Sequence, residues 1–132
     1  MTAQEVKEYL SQYRESLART KELTEHLDEL RAECDKLRDH EGERVALDAA
    51  VAKYVDACDD AAVYLAMLAD RRKEIERVIS SVQDTRLREL LQEIYINGKR
   101  IVRVAADRDQ TYEHICRLHG DALLAVRDLM QQ

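Results

Sequence analysis

The chain has no proline, no tryptophan and no phenylalanine, and only three glycines in 132 residues. Without proline nothing interrupts a long helix, and without large aromatic rings beyond six tyrosines a wide core cannot be filled. No stretch approaches the roughly 18 apolar residues of a membrane span. Met1-Thr2-Ala3-Gln4-Glu5 does not open a basic-then-apolar leader. These absences predict an almost wholly helical, elongated protein that stays in the cytoplasm and has no membrane partner.

Cysteine is equally sparse. Cys34, Cys58 and Cys116 lie far apart, with no Cys-x-x-Cys and no His-x-x-x-His spacing beside them. An odd, scattered set suits a reducing compartment, and each thiol reads as a small apolar group on an inner helix face. No metal site and no cofactor are expected. Catalytic residues are expected to be absent as well: the chain has no Gly-rich phosphate loop and no nucleophile with a base at helical spacing. Glu113 and His114 are adjacent and so point to different sides of a helix. Asp59-Asp60 reads as a solvated pair, and His26 and His40 sit in polar acidic stretches.

What the chain does have is charge, 36% of its residues, laid over helical periodicity. Val6, Leu10, Tyr13, Leu17, Thr20, Thr24, Leu27, Cys34 and Leu37 follow a heptad seam. After Asp39-His40-Glu41-Gly42-Glu43 a second seam runs through Leu47, Val51, Tyr54, Cys58, Ala61, Leu65, Leu68, Arg72, Ile75, Ile79 and Val82. Two runs of nearly equal length joined by a short break predict a long antiparallel helical hairpin, a coiled coil over residues 1–82 whose helices are each roughly 50–55 Å long. Ala46, Ala49, Ala50, Ala57, Ala62, Ala66 and Ala69 widen the apolar face of the second helix beyond one seam. A two-helix hairpin buries little, so a second copy covering that face, a homodimer, is the expectation.

Residues 83–132 read differently. Asp84 is an N-cap for a helix carrying Leu87, Leu90, Leu91, Ile94 and Tyr95 to a stop at Gly98. A short helix with Val104 and Ala105 inward follows, then a tight turn, then a helix opening at Thr111 with Ile115, Leu118, Ala122 and Leu123 inward. This is the spacing of a helix-turn-helix, which presents its last helix to the major groove of double-stranded DNA. Tyr112, Glu113, His114 and Arg117, on the exposed first turns, are the candidate base contacts: Arg suits guanine's acceptor pair, Glu accepts from cytosine's amino group, and His or Tyr can bond or stack. Lys99, Arg100, Arg103 and Arg108 are the candidate phosphate contacts. Charge divides at the same place. Residues 1–83 hold 13 Lys or Arg against 19 Asp or Glu, while residues 84–132 hold 8 against 8. The net −6 therefore sits on the hairpin, which is unsuited to a phosphate backbone.

Four segments together resemble a known family: Lys7-Glu8-Tyr9-Leu10-Ser11-Gln12, Leu47-Asp48-Ala49-Ala50-Val51-Ala52-Lys53, Arg86-Leu87-Arg88-Glu89-Leu90-Leu91 leading to Tyr95-Ile96-Asn97-Gly98, and Arg117-Leu118-His119-Gly120-Asp121-Ala122-Leu123. Small phage and prophage proteins that join an amino-terminal coiled coil to a helix-turn-helix like region 4 of sigma-70 factors are similar, as are the RinA- and ArpU-type phage transcriptional regulators. The resemblance implies a sequence-specific DNA-binding regulator of phage genes, with residues 99–107 as positioning helix and 111 to about 127 as recognition helix.

The chain departs from that pattern at Arg100-Ile101-Val102-Arg103-Val104-Ala105, at the turn Arg108-Asp109, and at Tyr112-Glu113, where such helices often begin with an Arg pair. These departures raise an alternative: a helical interaction protein on a degenerate helix-turn-helix scaffold, an inhibitor or adaptor whose acidic hairpin engages RNA polymerase or another host or phage protein.

Overall fold

The computed structural model describes residues 1–39 and 44–132, and over these the chain is all-α, as the sequence predicts. Two long helices, α1 (Ala3–Arg38) and α2 (Arg44–Ser80), form an antiparallel hairpin. A small bundle follows: α3 (Thr85–Leu91), continued as a π-helical stretch over Gln92–Ile96, then α4 (Ile101–Asp107) and α5 (Tyr112–Met130). Of the expected break, only Asp39 lies within the described residues. Among the described residues no helix is long and apolar enough to cross a membrane.

Packing groups the chain into two compact units, Met1–Glu15 with Asp70–Gln132, and Ser16–Ala69. Each holds part of both long helices, whereas division at residues 82 and 83 keeps the hairpin whole. The first unit has the larger side chains to bury. Val6, Leu10, Ile75, Ile79 and Val82 are fully buried or nearly so, as are Leu90, Leu91, Ile94, Tyr95, Val104, Ile115, Ala122 and Val126. The α5 helix packs against both α3 and α4. Within this unit Tyr9 donates its hydroxyl to Glu74 at 2.7 Å, and Arg72 lies over the Tyr13 ring, 5.7 Å from its centroid. Ascending α1 thus meets descending α2. Asp84 caps α3 by accepting the Arg86 N–H at 3.0 Å, and its hydrogen bond from the Arg86 side chain holds its carboxyl below the ordinary range.

The second unit is thinner. Its inward residues are Ser16, Leu30, Cys34, Ala50, Ala61 and Leu68, and the Tyr64 hydroxyl donates to the Ser16 carbonyl at 2.5 Å. Of the seams expected here, Cys34, Ala61 and Leu68 are buried as predicted, whereas four positions turn outward and are corrected. Leu17, Val51 and Leu65 are 41%, 43% and 52% exposed, while their neighbours Ser16, Ala50 and Tyr64 face inward. A straight α-helix drifts about 20° per heptad from a 3.5-residue repeat, so a stripe written on heptads need not stay on the contact line. Ser16 and Ala50 take the inner position by letting the backbones approach, and Tyr64 takes it through its hydroxyl bond to the Ser16 carbonyl. Thr24 is also outside, its hydroxyl returned to the Thr20 carbonyl at 2.9 Å.

Candidate nucleic-acid interface

The segment from α4 to α5 is shaped by backbone geometry at both ends of α4. Before it, Gly98 adopts φ +75°, and the Lys99 N–H reaches back to the Glu93 carbonyl at 3.0 Å. A Cβ at Gly98 would meet nothing within 4 Å, so the requirement there is conformational and not one of space. After it, Asp109 adopts φ 54° and donates its N–H to the Ala106 carbonyl at 3.2 Å, while the Gln110 N–H donates to Ala105 at 3.0 Å. That pair of bonds is a Schellman motif with Asp in the seat glycine usually takes. Asp109→Val is therefore expected to cost about 1–2 kcal/mol, because a β-branched apolar side chain tolerates left-handed backbone less well than the short polar Asp, while Asp109→Gly costs nothing. Urea unfolding of the two variants checks this, and equal costs would remove the strained turn.

Thr111 then caps α5, its hydroxyl accepting the His114 N–H at 3.1 Å. The inward side of α5 is Ile115, His119, Ala122, Leu123 and Val126. Tyr112, Glu113 and Arg117 are exposed, so three of the four candidate base contacts are open on the first turns of the helix, while the fourth, His114, is half-buried. The Tyr112 phenol is held above its ordinary range by a hydrogen bond with Cys116.

The four candidate phosphate contacts divide. Lys99 and Arg103 both hold Asp107, at 3.2 and 3.0 Å, and the Lys99 bond leads in keeping that carboxyl below its ordinary range. Arg108 pairs with Glu93 at 3.0 Å with both side chains less than a third exposed, which ties the end of α4 to the π-helical stretch. Its guanidinium is committed to the fold. Arg100 is exposed and heads a different arrangement.

An open cleft of about 290 Å³ is lined by Lys7, Ser11 and Arg14 of α1, by Tyr95, by Lys99 and Arg100, and by Tyr112 and His119. Four cations and no carboxylate line it. At its base Tyr95 and His119 form a buried pair, Oη to Nε2 at 2.6 Å, their rings stacked with centroids 5.8 Å apart. Burial pushes the Tyr95 phenol up to about 12, with nearby Arg14 acting the other way. Burial, with the charge of Lys7 second, pushes the His119 imidazole down. Both groups are thus held neutral, and each satisfies the other in the 2.6 Å bond, with the imidazole tautomer setting which of them donates.

Lys7 and Arg14 were not among the sequence candidates. They sit in the half of the chain whose net charge is acidic, and only the packing of α1 beside α4 and α5 brings them to the cleft. His119 was legible in part, since it falls four residues after Ile115 on the inward face. Comparison with protein-family models, with curated proteins and with solved structures finds no match for this chain.

Proposed function

We propose that the chain is a sequence-specific DNA-binding regulator of the phage or prophage type, acting in a reducing cytoplasm through α4 and α5. The observation that carries this reading is the cationic cleft of Lys7, Arg14, Lys99 and Arg100 beside the exposed first turns of a capped α5. A phosphate seated on those cations would set the helix against the groove, leaving Arg117, Glu113, Tyr112 and His114 to meet base edges. All-α folds host many functions, so the argument rests on this site and not on the fold.

Titration of the purified protein against duplex fragments at about 50 and 200 mM salt tests the reading. Site-selective binding that weakens with salt is expected. Arg100→Ala or Arg14→Ala should weaken all sequences alike and flatten the salt slope by about one. Arg117→Ala should cost about 1–3 kcal/mol on the preferred site only, a loss of roughly 5- to 150-fold. No binding at the lower salt by a protein of unchanged helicity would sink the proposal. The second reading, an interaction protein, is favoured by one observation: most of the exposed large apolar side chains fall within Ser16–Ala69.

A further inference from the structure

The displaced seam leaves a complete stripe on the outside of α2. Val51, Val55, Cys58, Ala62, Leu65 and Ala69 follow one another at alternating steps of four and three, the coiled-coil spacing. Within Ser16–Ala69 none of them is buried: Val51, Val55 and Leu65 are 43%, 49% and 52% exposed, Ala62 and Ala69 are exposed, and Cys58 is half-buried. A contiguous apolar stripe of this kind marks an interaction surface.

We infer that this stripe docks on the same stripe of a second copy, antiparallel, about a two-fold axis at the level of residue 60. The stripe matches itself in that alignment and also in a parallel one, residue on its own copy, so the charges that flank it decide the direction. Val51 then opposes Ala69 of the partner subunit, Val55 opposes Leu65 of the partner subunit, and Cys58 opposes Ala62 of the partner subunit, so two of the three pairs set a larger side chain against alanine. The same spacing carried along the α2 sequence begins with Arg44 and Asp48 and ends with Arg72 and Glu76. Within one chain Arg72 pairs with Glu76 at 2.9 Å; antiparallel, that pair lies against Asp48 of the partner subunit and Arg44 of the partner subunit, base opposite acid at each position. A parallel pair would set each of these charges against its own copy. Exposed ion pairs add little affinity, but like charges face to face are penalised, so the charges choose direction while the apolar stripe supplies association. Two hairpins joined in this way form a four-helix bundle with an isologous interface. The inference is independent of the DNA reading.

Sedimentation equilibrium and cysteine cross-linking test it. The wild-type chain is expected to be a dimer at about 100 µM, the middle of the micromolar range in which weak interfaces assemble. Leu65→Asp should convert it to a monomer of unchanged helicity, because Leu65 is already half in solvent within one chain. Val102→Asp, exposed on α4, should remain a dimer. Ala62→Cys should yield a covalent dimer under mild oxidation through Cys58 of the partner subunit, and the added change Cys58→Ser should abolish it. A monomeric wild type overturns the inference. So does a dimer that survives Leu65→Asp, or one in which Ala62→Cys forms no cross-link.

Discussion

Tyr95→Ala is expected to lower stability by about 3–5 kcal/mol, the range for deleting a buried aromatic side chain, and to lower the melting temperature by 10 °C or more. Tyr95 is 1% exposed and heads the fully buried side chains by size. Its removal leaves a cavity and strands the His119 Nε2 that it bonds at 2.6 Å. Tyr95→Phe keeps the ring and loses only the hydroxyl, so its cost should be about 1–3 kcal/mol, that of leaving the buried His119 Nε2 unpaired.

The same pair sets a pH window. His119 has its pKa lowered by burial, so below about 6.5 the unfolded chain takes up a proton that the folded one refuses, and stability falls as pH falls. Tyr95 has its pKa raised from 10 to about 12, so stability is full below 10 and is lost as pH rises towards 12. Tyr9, raised to about 12 by burial and by Glu74, adds to the alkaline loss. Maximal stability is expected between about 6.5 and 10, measured by urea unfolding followed by circular dichroism. The acid limb should disappear in His119→Leu. A wild-type profile flat from pH 5 to 8 would count against a neutral buried His119.

Leu123→Ala is expected to cost about 2–4 kcal/mol, whereas Leu124→Ala, one residue on, should cost less than about 1 kcal/mol. Leu123 is 6% exposed and Leu124 is 39% exposed. The contrast measures the rotation of α5 about its own axis. That rotation also decides which side chains of its first turns are open: with Ile115 and Leu123 inward, Glu113 and Arg117 are outward. Equal costs at the two leucines would mean a helix turned by about half a residue spacing, and the proposed base contacts would then lose their exposure.

Periodicity and punctuation carried much of the fold. The Asp84 and Thr111 caps and the Gly98 stop are local signals, set by hydrogen bonding and backbone geometry within a few residues, and each is found where the sequence places it. The π-helical stretch at Gln92–Ile96 carries no such mark, whereas the left-handed Asp109 falls at the turn the sequence places there. Of the candidate site, the exposure of Tyr112, Glu113 and Arg117 follows from the α5 period alone.

Tertiary structure decided what periodicity could not. Heptad counting cannot choose between Leu17 and Ser16, or Val51 and Ala50, because the choice depends on how closely two backbones approach and how far each helix drifts from a 3.5-residue repeat. Charge counting cannot foresee that Arg108 is spent on Glu93, or that Lys7 and Arg14, from the acidic end of the chain, complete a cationic cleft. Sequence determines which residues share a helix face, since that depends on spacing alone. Which faces meet, which charges are neutralised and which apolar stripe is left uncovered depend on contacts between residues distant in the chain, and these only packing resolves.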